Sequence, residues 1–234
     1  MVPVVILAGG LGTRVAHLTG SDRPKALLPL AGRTFIDVKL DELRAEGVTD
    51  VLLLVGHAAP ALLEHVGDGS AHGLRVTWRE DGPTLLGTGG AIRAALAELP
   101  DRFWLTYGDT LLEVPMATIE SAAAPDDDLV MTVLANEDRW ETSNVDVEGD
   151  RVVGYRKGDP PGSHCHLDYG MLLVHRRAFA PWAAGDRFDL GEVVQRAITA
   201  GRVAAWPVAR RFYEVGTEEG YATTQQFVAE RSDP

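Results

Sequence analysis

Short apolar runs that end at glycine alternate with stretches of helical apolar spacing through the first half of the chain, and this alternation leaves few folds open. Val4-Val5-Ile6-Leu7 runs into Gly9-Gly10. An unbroken apolar run of that length is a strand buried on both faces, the habit of a parallel sheet covered by helices. Ile36, Leu40 and Leu43 then recur at helical spacing, with Gly47 as the stop. Val51 to Val55 is the next buried strand, and Leu62, Leu63 and Val66 mark a short helix. Leu74 to Trp78 alternates like a strand, Ile92, Leu96 and Leu99 mark a helix stopped by Pro100, and Phe103 to Tyr107 is a further strand. The order β-α-β-α-β-α-β predicts a parallel, Rossmann-like α/β sheet with helices on both faces and right-handed crossovers. Ligands of such sheets sit at the carboxyl ends of the strands, so the turns Gly9 to Arg14 and Gly108-Asp109 belong on one rim.

The second half is richer in strands. Leu129–Leu134, Asn144–Val147, Val152–Tyr155, Tyr169–Val174 and Val203–Val208 are the candidates, with helices around Leu190 to Ile198 and Glu218 to Glu230. Ala122 to Asp128, with its three consecutive aspartates, reads as a solvated connection. No long linker divides the 234 residues. The expectation is one domain over 1–234, with a nucleotide-binding half at about 1–120 and a substrate-binding half at about 121–234.

Charge narrows the partners. Lys and Arg number 22 against 34 Asp and Glu, a net −12, which disfavours a nucleic-acid backbone or an anionic membrane surface. With one cysteine, Cys165, no intramolecular disulfide can form. The apolar start reaches Gly9 too early to span a bilayer and lacks a basic signal region, so a cytoplasmic protein is expected. His164 and His166 share a strand face, but no second cluster has structural-zinc spacing, so a surface loop is the expectation there. Self-association is left open.

The strongest chemical signal is Leu7-Ala8-Gly9-Gly10-Leu11-Gly12-Thr13-Arg14 followed by Arg23-Pro24-Lys25-Ala26-Leu27-Leu28-Pro29. A glycine turn at a strand end lets backbone N–H groups approach phosphate oxygens. Arg14 and Lys25 add a forked and a point cation to the same place. A dinucleotide fingerprint from Gly10 would need glycine where Val15 stands, and the Gly-Lys-Ser/Thr of a P-loop does not occur.

These residues resemble the sugar-phosphate nucleotidyltransferases, whose signature matches at Gly9, Gly10, Gly12, Thr13, Arg14, Pro24, Lys25 and Pro29. The resemblance extends over nearly the whole chain and implies a GT-A-like fold. It implies a triphosphate and a sugar 1-phosphate as substrates, Mg²⁺ as cofactor, and no covalent intermediate. Carried over residue by residue, it makes Arg14, Lys25 and Lys157 the catalytic cations. Leu7, Ala8, Gly9, Gly10, Gly12, Thr13, Gly87 and Thr88 would contact the nucleotide, with Leu86 to Ala91 lying against the nucleoside. Asp109, after Tyr107-Gly108, and Glu214, in Tyr213-Glu214-Val215-Gly216-Thr217, would hold the metal, Glu214 standing where the family has Asp. Asn144, Lys157, Tyr169 and Gly170 would line the sugar-phosphate site, although Asp168-Tyr169-Gly170 reads equally as an ordinary turn into a strand. Arg156 and Gly158 depart from the family's Glu-Lys-Pro around Lys157, and His17 replaces a proline after Arg14. Glu80, ahead of Leu86, falls where the family reads the base. A carboxylate accepts but cannot donate, which suits guanine's paired donors and not uracil's edge. The expectation is a guanylyltransferase acting on heptose or mannose 1-phosphate. Asp81 or a backbone group is the other candidate reader. Other bases, a phosphocholine acceptor, or a relative that keeps the fold without turnover are the rival readings.

Overall fold

The computed structural model describes residues 1–9, 24–56, 59–80, 82 and 85–232. Gly10, Gly12, Thr13, Arg14, His17 and Asp81 therefore lie outside the described residues.

The first half builds as its apolar periodicity requires. β1 (Val4–Ala8) pairs in parallel with β4 (Asp50–Val55) on one side and with β6 (Arg102–Tyr107) on the other. β4 pairs in parallel with β5 (Arg75–Glu80). Successive residues of β1 face opposite cores. Val4 and Ile6 pack with Ile36, Leu40 and Leu43 of α1 (Phe35–Ala45) and with Leu62 and Val66 of α2 (Ala59–Val66). Val5 packs with Ile92 and Ala95 of α3 (Gly87–Ala95). The sheet is thus covered on both faces, which is why its strands read as continuous apolar runs. Thr34 caps α1 through a reciprocal pair with Asp37, and Gly47, at φ +90°, takes the left-handed turn that ends it.

The second half makes the sheet mixed. β11 (His166–His175) enters antiparallel between β6 and β8 (Leu129–Ala135), and β12 (Val203–Val208) lies parallel to β8. β10 (Arg151–Tyr155) and β9 (Val145–Glu148) complete the order β5-β4-β1-β6-β11-β8-β12-β10-β9. β11 carries an irregularity between Asp168 and Leu172, where Gly170 has φ +92° and the buried Thr132 hydroxyl donates to the Met171 carbonyl at 2.7 Å. α5 (Leu190–Thr199), capped by Asp189 and Glu192, packs on β10 and β12.

Three pieces had no sequence signal. They are the hairpin of β2 (Pro29–Leu30) and β3 (Arg33–Thr34), the short helix α4 (Met116–Ala122), and a two-stranded ladder of β7 (Thr110–Leu111) with β13 (Tyr213–Glu214). Leu28, Leu30, Leu111, Val215 and Val228 form a small apolar cluster that seats α6 (Glu218–Ser232) on this ladder and the hairpin. Tyr221 donates its hydroxyl to the Pro29 carbonyl at 2.6 Å.

The aspartate run is a correction to the solvated turn expected there. Asp127 and Asp128 are 6% and 8% exposed, held by Arg151 and by Arg177 respectively. Burial of a carboxylate requires such partners. Among the described residues no helix is long and apolar enough to cross a membrane.

Candidate functional site

The carboxyl ends of β1, β4 and β6 meet at glycines, and the packing says why. A Cβ on Gly56 would stand 2.7 Å from the Gly9 carbonyl oxygen, and one on Gly108 would stand 3.0 Å from the Leu7 carbonyl, to which Gly108 N–H donates at 2.9 Å. The strand ends close to this degree only without side chains. Above them opens a cleft of about 310 Å³, bounded by Gly9, Lys25, Leu85, Thr88, Tyr107 and Asp109 among others. Leu7, Ala8 and Gly87 also line it, so the described members of the expected nucleotide set share one cavity, with the exception of Glu80.

At the floor of the cleft, Lys25 Nζ lies 3.4 Å from Asp109 Oδ2. The β7–β13 ladder sets Glu214 opposite Thr110, and Val215 N–H donates to the Asp109 carbonyl at 2.9 Å. The point a Cβ on Gly216 would occupy is 2.7 Å from Glu214 Oε2, 3.5 Å from Lys25 Nζ and 3.8 Å from Asp109 Oδ2. Two carboxylates and one ammonium, drawn from three distant parts of the sequence, therefore surround one position. The extra methylene of Glu214 lets its carboxylate fold back to accept from the Gly216 N–H and from the Thr217 hydroxyl.

This donor set fits Mg²⁺. Among the described residues no group of three or more His, Cys, Asp and Glu could enclose a metal. Mg²⁺ at a phosphate site needs less, commonly one or two carboxylates with waters and phosphate oxygens supplying the rest. Asp109 is partly exposed, bonded to Lys25 and to the Thr110 hydroxyl at 3.3 Å, and retains lone pairs toward the cleft.

A second cluster lies beyond Tyr107. Lys157 Nζ sits 5.4 Å from the Tyr107 ring centre and 5.7 Å from that of Tyr155. The Tyr155 hydroxyl donates to Asp168 Oδ2 at 3.3 Å, and Gly170 N–H donates to Asp168 Oδ1 at 3.0 Å. Burial raises the Asp168 carboxyl above the usual range, opposed by Lys157 and by those two donors. Burial, with Asp168, Asp189 and Asp109 nearby, drives the Tyr107 phenol well above its ordinary value and keeps it neutral. Tyr107 ends β6 and Asp109 follows it by two residues in the turn, so one turn joins the two clusters.

Of the expected sugar-phosphate residues, Lys157 is exposed at this cluster and Gly170 packs under it. A Cβ on Gly170 would lie 3.4 Å from the Tyr107 ring. Asn144 braces the cluster, its side-chain oxygen accepting from Asp168 N–H at 2.9 Å. Tyr169 does not join it. Neighbouring residues of a strand face opposite ways, and the Tyr169 ring is 1% exposed in the core behind, edge-on to Phe212. Gly158 adopts φ +92°, a left-handed turn that proline cannot make, which accounts for the departure after Lys157. Arg156 points to Asp159.

The glycines of Leu86 to Ala91 serve packing as well as the cleft. The helix starts at Gly87, and Cβ atoms on Gly87, Gly89 and Gly90 would strike Phe188 or Asp186 within 2.5 Å. The Thr88 hydroxyl accepts from Leu190 N–H at 2.9 Å. The segment from Asp186 to Leu190 had no chemical signature in the sequence. Glu80 ends β5 opposite Val55, exposed at the rim and outside the lining of the cleft. His164 is clasped by Asp146 at 2.9 Å and Asp159 at 3.1 Å, and Cys165 is exposed.

A Rossmann-like sheet with a cleft at its carboxyl rim, a lysine and a carboxylate on the floor, a second carboxylate next to them and a second lysine beside the cleft defines a nucleotide-handling α/β enzyme. The chain belongs to the MobA-like NTP transferase domain family, whose model matches residues 4–205, and it is a nucleotidyltransferase related to those that act on sugar phosphates. It is 26% identical to a D-glycero-alpha-D-manno-heptose 1-phosphate guanylyltransferase of Campylobacter jejuni, over 93% of this chain and 96% of that one. It is 36% identical to an N-acetylmuramate alpha-1-phosphate uridylyltransferase of Caulobacter vibrioides, over 97% and 96%. HddC from Yersinia pseudotuberculosis, solved with GMP-PN, shares the fold with a TM-score of 0.82 at 24% identity, over 97% of this chain and 100% of that one.

Proposed function

We propose that this protein joins a hexose or heptose 1-phosphate to GTP, giving a nucleoside-diphosphate sugar and pyrophosphate in the cytoplasm. A phosphate oxygen of the sugar phosphate bonds to the α-phosphorus of the triphosphate as the bond to the departing pyrophosphate breaks. Nothing covalent forms on the protein, so its work is positioning and charge neutralisation. Lys25 holds triphosphate oxygens, and Arg14, in the glycine loop, steadies the leaving pyrophosphate. Lys157 orients the attacking phosphate, with Asp168 and the Tyr155 hydroxyl beside it for sugar hydroxyls. Asp109 and Glu214 would hold Mg²⁺, which when bound offsets negative charge on the phosphates.

The observation that carries this reading is the meeting of Lys25, Asp109 and Glu214 around Gly216 with Lys157 one tyrosine ring away. That arrangement suits two phosphate-bearing substrates meeting over one turn. A second reading, UTP with N-acetylmuramate 1-phosphate, is favoured by the 36% identity to the uridylyltransferase. One experiment tests both: pyrophosphate release with GTP, UTP, CTP, dTTP and ATP in competition, against mannose, heptose and N-acetylmuramate 1-phosphates. GTP with a neutral sugar is expected. Preference for UTP selects the second reading, and no release with any pair removes transfer to sugar phosphates altogether.

A further inference from the structure

Lys39 has no place in the chemistry above, yet it is 2% exposed and sits directly behind the Asp109 turn. Its ammonium, carried by α1, donates to the Thr110 carbonyl at 2.6 Å and to the Thr106 hydroxyl at 3.3 Å. Thr110 is the residue after Asp109 and the ladder partner of Glu214. Thr106 lies three residues before Asp109, is itself 1% exposed, and belongs to β6. One buried group thus grips the backbone after the carboxylate and the strand before it.

We propose that Lys39 is a positioning residue that fixes the Asp109 carboxylate, and through Thr110 its alignment with Glu214, for the triphosphate and its metal. The proposal rests on the reading of Asp109 given above.

A buried ammonium is costly unless its protons are all used and its charge is answered. The two acceptors on Lys39 are neutral. The charged groups facing it are Glu42 on its own helix and Asp109. Burial raises Glu42 toward its neutral form, with Lys39 and Arg231 of α6 opposing and Glu113 and Glu46 adding to the rise. Burial lowers the Lys39 ammonium, and both carboxylates oppose that, Glu42 more than Asp109. A leucine or methionine would satisfy the packing of α1 at this position. It would leave the Thr110 carbonyl without a donor at the point where the backbone must hold still, and small displacements of a reacting constellation are expensive in rate.

The test compares Lys39→Met, which removes the donors, with Lys39→Gln, which keeps an N–H donor on a side chain as long as methionine's and one bond shorter than lysine's. Two readouts are taken: kcat and KM for pyrophosphate release, and Mn²⁺ binding by electron paramagnetic resonance with a non-hydrolysable triphosphate analogue. Lys39→Met is expected to lower kcat about tenfold or more. It should weaken Mn²⁺ binding while leaving the sugar-phosphate KM within about twofold, and Lys39→Gln should recover part of both losses. Such a split between kcat and KM, with rescue, is not what a general loss of packing produces. Wild-type kcat and Mn²⁺ binding in folded Lys39→Met overturn the proposal, as does a folded Lys39→Gln no better than Lys39→Met. Should Lys39→Met fail to fold, Thr106→Val removes one anchor with little change of shape. A threefold or larger drop in kcat at unchanged Tm is then expected, and no drop overturns the proposal. If the wild type itself releases no pyrophosphate, the functional reading has failed. If it does and these variants match it, only the role of Lys39 has failed.

Discussion

Lys25 Nζ stands 3.4 Å from Asp109 Oδ2 although 84 residues separate them, and neither side chain is fully buried. An exposed pair of this length contributes little to stability. Its value lies in where it holds two charges, one suited to phosphate and one to a cation, at the floor of a single cleft. Asp109→Asn keeps the shape and removes the charge. Turnover should fall to background while Tm stays within a few degrees of wild type, and EDTA should abolish wild-type turnover until Mg²⁺ is restored. A variant that turns over like wild type would remove Asp109 from the metal site.

Gly216 offers a sharper separation of fold from function. Its φ is not in the left-handed region, so alanine suits the backbone, but the new Cβ would stand 2.7 Å from Glu214 Oε2. The obstructing atom is the end of a flexible side chain, so the fold can yield by moving that carboxylate. Gly216→Ala should therefore shift Tm by a few degrees at most and lower kcat by about tenfold or more. Equal activity at equal Tm would show that the placement of Glu214 does not matter to turnover.

Lys157 lies at the other end of the Tyr107 ring, beside the buried Asp168 carboxylate. Lys157→Ala should raise the KM for sugar phosphate and leave triphosphate affinity near wild type. Loss of a charged hydrogen bond costs about 1.5–3 kcal/mol, or about ten- to a hundredfold in binding. Isothermal titration with each substrate separates the two effects, and loss of triphosphate affinity alone would reassign Lys157 to the triphosphate.

The loop that carries Lys157 has a titratable clasp. Burial alone would lower the His164 imidazole, but hydrogen bonds and charge from Asp159 and Asp146 outweigh it and raise the group above its ordinary value. A histidine raised in the folded state contributes stability that is fully present below its unfolded value, about 6.5, and is lost as pH rises through the folded value. Resistance of the 156–165 loop to proteolysis should accordingly be greater at pH 6 than at pH 8.5. His164→Gln should flatten that difference. An imidazole that titrates at or below 6.5 by NMR would contradict the clasp.

What the sequence disclosed and what it hid follow from the range of the interactions. The strands and helices of the first half were legible because Val4 to Leu7 and Val51 to Val55 are wholly apolar, and Phe103 to Tyr107 is apolar but for Thr106, as strands covered on both faces must be. The second half was legible strand by strand, while the antiparallel entry of β11 beside β6 was not, because strand order depends on partners far away in sequence. The Asp109–Glu214 meeting depends on a ladder of two residues per strand, too short for any periodic signal. Lys39 reads as one more charged position on an amphipathic helix until Thr110 is seen above it. Asp127 and Asp128 look like solvent-facing charge because the arginines that bury them come from elsewhere. Tyr169 and Asp168 are adjacent in sequence, yet the strand turns one to the core and the other to the site.

Base reading is the role proposed for Glu80. It ends β5 at the same rim as the cleft, opposite Val55 and exposed. Guanine presents N1–H and N2–H₂ side by side, and a carboxylate can accept from both together. Uracil presents one donor between two carbonyls, which a carboxylate would repel and a glutamine amide could match. Glu80→Gln keeps the length and swaps one acceptor for a donor. If Glu80 reads the base, the variant should lose about 1–3 kcal/mol of its preference for GTP over UTP, about ten- to a hundredfold in the ratio of kcat/KM. Its Tm should not change, because the side chain lies on the surface at a strand end. Measuring kcat/KM for GTP and UTP in wild type and variant with one sugar phosphate gives the ratio directly. An unchanged ratio would return base reading to Asp81 or to the backbone, and a wild type that already prefers UTP would exclude the guanine assignment outright.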